Sequence, residues 1–431
     1  VDLLLNKSAD LFAGTFHGFC QMLLENHGLD IGLPSPFKII SPSQSWQLFK
    51  KNLDEFNLDY YRPYQNPTSL IAALITHFSR CKDELILPEQ YLTYAQELRG
   101  GTDIVEYRRA LSEQDEEILE YARIDEVANA YHTFEQIKLK ENALDFGDLL
   151  AYVNLLLEKR PNITAALQKQ YQHILIDEFQ DTNWAQYQLI KKLAGPQTQI
   201  TVVADDDQSI YKWRGASVAN VLAFSQDYEN TKTVVLKENY RSGQAILDAA
   251  YTLIGHNNPD RLEIQNNIDK KLHANKEALG SVLHIHSHTN AQEVTTVVNK
   301  IKQLLKDGEE PQNIAILARA NSHLQPFLAC LRSSNIPCHH GAAKGLLKTK
   351  VALDCIAILR AIANRTDHNA WFRLLQMPPF ALSHEDEGIL WSSGERKGKP
   401  LLFILEKVAN GVINISQDGH HKIKTLLHLI K

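Results

Sequence analysis

No stretch of this 431-residue sequence approaches the roughly 20 consecutive apolar residues that a membrane-spanning helix needs, which argues against a membrane role. The N-terminus, Val1-Asp2-Leu3-Leu4-Leu5-Asn6-Lys7, lacks a start methionine and lacks the basic head and cleavage site of a signal peptide. The expectation is a sequence cut from a longer one. The five cysteines (Cys20, Cys81, Cys330, Cys338, Cys355) are odd in number, widely spaced and without a C-x-x-C pair, so neither a disulfide framework nor a zinc or iron–sulfur site is suggested. That usage fits a reducing cytoplasm. There is no basic excess either: a formal charge of −6 argues against coating of nucleic acid through bulk charge, and any such contact has to come from a local groove. Internal repeats and low-complexity tracts are absent, and the length exceeds one ordinary core, so at least two domains are expected.

What is present alternates between helix and strand patterns. A short helical lead-in, the string Ala13-Gly14-Thr15-Phe16-His17-Gly18-Phe19-Cys20 and an apolar helix pattern through Met22, Leu23 and Leu24 occupy 1–45. From 46 to 144, helical periodicity (Trp46, Leu48, Phe49, Leu53; Ile118, Leu119, Tyr121, Ala122) among charged residues predicts a mostly helical insertion. Between 170 and 245, the apolar runs His173–Ile176, Ile200–Ala204 and Thr233–Leu236 predict strands covered on both faces, in a parallel sheet. Each run ends in a dense polar cluster, the place where ligands sit in open α/β sheets. A second alternating region predicts a strand over Ser281–His286, a helix over 294–305, a strand over Asn313–Arg319 and a helix over Ser322–Ser333. After Met377-Pro378-Pro379, short helical patterns run to the end, in a stretch too short for a core of its own.

The polar clusters carry the chemistry. In Ile174-Leu175-Ile176-Asp177-Glu178-Phe179-Gln180-Asp181-Thr182-Asn183, a buried strand ends in two adjacent carboxylates, costly unless those charges have partners. A magnesium ion with a triphosphate is a natural one, Asp177 helping to hold the hydrated metal and Glu178 deprotonating the attacking water. The plainer reading is a pair of acids at a helix N-terminus. The next strand ends in Ala204-Asp205-Asp206-Asp207-Gln208-Ser209-Ile210-Tyr211-Lys212-Trp213-Arg214-Gly215-Ala216. Three consecutive aspartates repel one another and need cations or solvent nearby. Tyr211, Lys212, Trp213 and Arg214 are types that stack on unpaired bases and bind phosphates, although Trp213 read plainly is a core or interface anchor. In the third cluster, Leu236-Lys237-Glu238-Asn239-Tyr240-Arg241-Ser242, Tyr240 and Arg241 precede a helix that Ser242 can cap. Arg241 is either a surface cation or a forked donor to a terminal phosphate.

In this order and with these separations, the three strings closely resemble motifs II, III and IV of the UvrD/Rep/PcrA helicases of superfamily one. Ala13 to Cys20 is similar to their motif Ib, and Leu144-Asp145-Phe146-Gly147-Asp148-Leu149-Leu150 to the short motif preceding motif II. The Ile314–Asn321 strand and the Val351–Arg360 helix resemble parts of the family's second motor domain, so the resemblance covers nearly the whole chain. It implies an α/β fold of RecA-like, P-loop NTPase-type parallel sheets with helical insertion domains. The boundaries implied are 1–45 and 145–278 for the first motor domain, 46–144 for its helical insertion, 279–375 for the second motor domain and 376–431 for the start of an accessory domain. It further implies ATP-driven 3′→5′ movement on single-stranded DNA and at junctions with duplex. Asp177 would bind Mg²⁺, Glu178 activate water, Gln208 sense the γ-phosphate, Arg241 contact it and Tyr240 stack on the nucleotide base. Trp213 and Arg214, with Thr15, Phe16 and His17, would touch single-stranded DNA, and Arg319 and Asn321 its backbone; His17 otherwise reads as a structural histidine.

Two departures stand out. Ala204 replaces the glycine usual in motif III, and no G-x-x-x-x-G-K-[ST] occurs, so the phosphate cradle is missing. Asn6-Lys7-Ser8-Ala9 looks like motif Ia but lies too close to Thr15, and motifs V and VI are not found. The chain is therefore expected to start after motif Ia, to stop inside the second accessory domain and to be inactive alone. Two rivals remain: an AddA/RecB-like or nuclease-fused helicase, with a nuclease domain or subunit as partner, and a non-catalytic DNA-binding scaffold. Retention of Asp177, Glu178, Gln208 and Arg241 argues against the scaffold.

Overall fold

The Thr15 hydroxyl accepts a hydrogen bond from the Gly18 amide (3.1 Å) and so caps α1 (Phe16–His27), using one of the donors a helix start leaves over. The computed structural model in which this is seen describes residues 11–63, 66–98, 116–210, 218–228, 230–277, 280–340, 349–392 and 401–430. After β1 (Lys38–Ile39), α2 (Pro42–Lys51) opens on a reciprocal Ser41–Gln44 capping box with Pro42 in its first turn. Helices α3 (Ile71–Asp83), α4 (Pro88–Leu98) and α5 (Glu116–Lys140) follow, and β2 (Ala143–Leu144) then pairs in parallel with β1. Helix α6 (Phe146–Lys159) starts on a second box, Asp145 with Asp148, and α7 (Pro161–Gln170) on a proline. Next come β3 (His173–Ile176), α8 (Trp184–Leu193), β4 (Gln199–Val202), α9 (Val218–Asp227), β5 (Glu238–Asn239), α10 (Gln244–Ile254), the single-turn α11 (Leu262–Gln265) and β6 (His273–Ala274).

The chain divides into two compact units, Val1–Val282 and Leu283–Lys431. In the first, α1, α6, α7 and α8 enclose a core that includes Leu23, Leu24, Val153, Leu156 and Leu189. An aromatic core unites α2, α3 and α5, with Phe49 stacked on Phe56 at 3.8 Å and Phe78 on Tyr131 at 4.9 Å. A third core, Ile176, Phe179, Tyr187, Ile190 and Phe224, lies against β3 and β4, which pair in parallel from His173 opposite Gln199 to Ile176 opposite Val202. This seat holds the strand ends that carry the acidic clusters. The architecture is α/β, rich in helix, with parallel strand pairs.

Several strand expectations are corrected. Strands covered on both faces were expected, yet β3 alternates: Ile174 and Ile176 turn inward while Leu175 is 75 % exposed. A strand pair packed on one face buries every second residue. Thr233–Leu236 forms no ladder and leaves Val234 and Leu236 exposed. The parallel pairing falls instead at Glu238–Asn239 against His273–Ala274, where Asn275 donates to Glu238 (2.6 Å) and Gln244 accepts from the Ala274 amide (2.9 Å). Ser281–His286 and Asn313–Arg319 likewise form no ladder among the described residues. An apolar run signals a preference for burial, not the neighbour that must supply its hydrogen bonds. Gly243 rather than Ser242 is the N-cap of α10 and gives it no side-chain cap, while the Ser242 amide donates to Asn239 Oδ1 (2.8 Å).

In the second unit, α12 (Asn290–Lys306), capped by Thr289, packs Val294, Val298 and Ile301 with Leu331 of α13 (Gln325–Ser333). The helix expected from Ser322 begins as a 3₁₀ turn, Asn321–Leu324, before α13. Helices α14 (Lys350–Ala363), α15 (His368–Leu374), α16 (His384–Ser392), α17 (Leu401–Ala409) and α18 (Gln417–Ile430) share one core around Trp371, Leu374, Leu405 and Leu426. The segment after Pro379 thus uses the core of the helices before it. No described helix is long and apolar enough to cross a membrane.

Candidate active site

β3 delivers Asp177 and Glu178 to the surface beside the end of β4. The Val203 amide donates to the Ile176 carbonyl (2.8 Å) and the Phe179 amide to the Val203 carbonyl (2.9 Å), so backbone pairing continues past both strands and holds the acidic turn in place. Glu178 adopts left-handed backbone, φ 51°, which costs a residue with a Cβ on the order of 1 kcal/mol or more. The turn is over-determined: the Glu178 amide donates to Asp177 Oδ1 (2.9 Å), and the 3₁₀ turn Phe179–Asp181 that follows is buried at Phe179 and Gln180.

Gln180 was not singled out from the sequence. Its side chain is 1 % exposed, with Nε2 donating to Glu178 Oε2 (2.6 Å) and Oε1 accepting from the Asp205 amide (3.1 Å). Asp205 in turn accepts from Gln208 Nε2 (2.7 Å). A continuous hydrogen-bonded path therefore joins Glu178 at the end of β3 to Gln208 beyond β4.

The cations that the aspartate run demands come from this chain. Lys270 Nζ lies 2.9, 2.5 and 2.9 Å from Asp205, Asp206 and Asp207, and Arg261 grips Asp207 as a fork with both bonds at 2.7 Å. The Leu262 amide adds a bond to Asp206 (2.8 Å). Burial pushes Asp207 up, but the bonds from Arg261 and Lys270 outweigh it and hold its carboxyl below the usual carboxylate range. Burial acts to lower Lys270, and its bonds to Asp206, Asp205 and Asp207 overrule that, raising it above the ordinary lysine value. These partners lie far along the chain, so no local pattern marks them.

A metal ion suits one acidic group better than the other. Oxygens of Asp205, Asp206 and Asp207 lie within 4.8 Å of one another, yet the Lys270 ammonium already supplies their positive charge. Asp177 and Glu178 are exposed and, among the described residues, engage only the Glu178 amide and the Gln180 amide group. Two hard oxygen donors without a cationic partner fit Mg²⁺.

The other expected residues are more dispersed. Tyr240 (74 % exposed) and Arg241 follow β5 on a loop pinned by Asn239 Oδ1, which accepts the amides of Arg241 (3.0 Å) and Ser242 (2.8 Å). No hydrogen bond joins either side chain to the Glu178–Gln208 path among the described residues. Thr15 is the cap of α1, Phe16 packs at the junction of two core clusters, and His17 meets Phe146 edge-on at 5.6 Å, with burial lowering its pKa. Arg319 and Asn321 are exposed in the second unit. Trp213 and Arg214 lie outside the described residues.

Residues 2–229 match the UvrD/REP helicase N-terminal domain, and residues 234–398 the UvrD-like helicase C-terminal domain. The chain belongs to the UvrD/Rep helicase family. It is 33 % identical over 371 residues to DNA helicase II of Haemophilus influenzae, covering 85 % of this chain and 45 % of that protein. Over 379 residues it is 30 % identical to the ATP-dependent DNA helicase PcrA of Staphylococcus epidermidis, covering 88 % and 47 %. The PcrA of Leuconostoc citreum is 29 % identical over 370 residues, covering 86 % and 44 %. The chain thus spans just under half the length of these UvrD/Rep relatives. Asp177, Glu178 and Gln208 fall in the N-terminal family domain, Tyr240 and Arg241 in the C-terminal one, although β5 and α10 lie in the first structural unit.

Proposed function

We propose that this chain is part of an ATP-dependent UvrD-type DNA helicase that moves 3′→5′ along single-stranded DNA and opens duplex at junctions, and that it carries the metal-binding and water-activating side of the ATP site. The observation that carries the reading is the exposed Asp177–Glu178 pair, set on a left-handed turn and bonded through to Gln208. Asp177 holds Mg²⁺, whose charge, when bound, offsets that of the phosphates. Glu178 orients the attacking water and takes its proton. Gln208 donates to the terminal phosphate of ATP, Arg241 reaches it as a forked donor, and the exposed ring of Tyr240 is available to stack on the base. Trp213 and Arg214, with Thr15, Phe16 and His17, line the DNA path; the Thr15 hydroxyl, an acceptor toward Gly18, keeps its own proton for a phosphate oxygen. Arg319 and Asn321 contact the DNA backbone. In domain terms, 1–45 and 145–278 form the first RecA-like motor domain, 46–144 its helical insertion, 279–375 part of the second motor domain and 376–431 the start of an accessory domain.

In the whole protein, Glu178→Gln keeps the shape of the side chain but cannot take a proton. DNA-stimulated ATP hydrolysis is expected to fall by about 10²- to 10⁴-fold with ATP affinity retained. Unchanged turnover would remove Glu178 from the role of base. The 431-residue chain alone, which contains no G-x-x-x-x-G-K-[ST], is expected to turn over no ATP.

A further inference from the structure

We propose that Gln180 is a positioning residue that sets the Glu178 carboxylate according to the conformation of the Asp205–Gln208 turn. The proposal rests on the reading of Glu178 as the base. Glu178 is exposed, and among the described residues its carboxylate has one side-chain partner, the Gln180 amide at 2.6 Å. The other end of that amide is committed to the Asp205 backbone at 3.1 Å, and the side chain is sealed from water. A buried amide that loses a partner cannot replace it with solvent, so leaving it unpaired costs about 1–3 kcal/mol. Movement of the Asp205 amide must therefore break that bond or draw the glutamine with it, and either changes the bond at Glu178.

Asp205 is itself set by its surroundings. Its carboxylate accepts from Gln208 Nε2 (2.7 Å), Lys270 Nζ (2.9 Å) and the Asp207 amide (3.2 Å). The Ser209 hydroxyl adds a long bond to the Gln180 carbonyl (3.5 Å). Tyr211, Lys212, Trp213 and Arg214, proposed above or read from the sequence as contacts to a single strand, follow this turn within a few residues of the chain. The path supplies a physical route from strand binding to the orientation of the base.

The test uses the whole protein, with steady-state ATP hydrolysis measured with and without oligo-dT. Gln180→Leu keeps the volume and removes both bonds; DNA-stimulated kcat should fall by about 10- to 100-fold, as misplacement of a reacting group does. KM for ATP should stay at the parental value, and the ratio of stimulated to basal turnover should drop. Gln180→Glu keeps the length of the side chain but sets an ionised carboxylate, which cannot donate, against Glu178; DNA-stimulated kcat should fall in the same way with KM for ATP retained. A lower Tm with kcat, KM and the stimulation ratio unchanged would overturn the proposal. If the leucine variant does not fold, the kcat-against-KM split of the glutamate variant decides. Glu178→Gln is measured alongside: normal turnover there sinks the reading of the base and this proposal with it. An inactive Glu178→Gln beside parental behaviour of both Gln180 variants sinks only the positioning role.

Discussion

Lys82 Nζ lies 2.6 Å from Asp148 Oδ1, with the two side chains only 2 % and 1 % exposed. They sit in a cluster of five charges: Lys82 also meets Asp145 and Glu135 (both 2.7 Å), and Lys138 meets Asp148 (2.5 Å), Asp145 (2.6 Å) and Glu135 (2.8 Å). The members come from α3, α5 and the start of α6, so charge as well as apolar packing ties these helices together. Asp145 and Asp148 are at the same time the capping box of α6. The two aspartates of the Leu144–Leu150 string thus start one helix and anchor two others.

Lys82→Met would leave three carboxylates facing Lys138 alone in a buried site. Removing one partner of such a group typically costs about 3–5 kcal/mol, and urea denaturation of the chain should show a loss of that size. A loss below about 1 kcal/mol, the range of exposed pairs, would mean that the cluster does not hold these helices together.

Glu135 is the third carboxylate beside two ammonium groups. Burial, then the neighbouring Asp148 carboxylate, pushes its carboxyl up to about 7 from an ordinary 4.5. The folded chain then holds a proton that the unfolded chain has released, so this group's contribution to stability falls as pH rises from about 4.5 to about 7. Asp83, raised to about 6 chiefly by burial, acts with the same sign. Asp145 acts with the opposite sign: burial would raise it, Lys138 and Lys82 overrule burial and hold it low, and its contribution is lost only as pH falls below 3.8. Glu135→Gln should flatten the stability–pH curve between 4.5 and about 7, measured by chemical denaturation. An unchanged slope would show that Glu135 is ionised throughout.

Lys270→Met should turn the Asp205–Asp207 run into a group of carboxylates in want of a cation. The variant is expected to lose stability in EDTA and to regain part of it in millimolar Ca²⁺ or Mg²⁺, with a Tm rise larger than that of the parent chain. Equal cation dependence of the two proteins would show that Lys270 is not the counter-ion of the three aspartates.

Local chemistry was legible in the sequence: the apolar run of β3, the parallel pairing of β3 with β4, the helix at 294–305 and the string order that marks the UvrD/Rep family. The runs and the helix depend on residues a few positions apart, whose period is written in the sequence itself, while the pairing and the family follow from the order in which such strings recur along the chain. The demand of Asp205–Asp207 for cations was legible too, but not that Lys270 and Arg261 meet it. Nor could Gln180 be told from any other polar turn residue, because its role comes from burial and from the Asp205 amide in the turn beyond the neighbouring strand. The ladder at Glu238–Asn239 in place of Thr233–Leu236, and the gathering of Lys82, Glu135 and Lys138 around Asp145 and Asp148, were likewise decided by the tertiary structure. Such partnerships join elements far apart along the chain, and only the path of the folded backbone determines which donor arrives beside which acceptor.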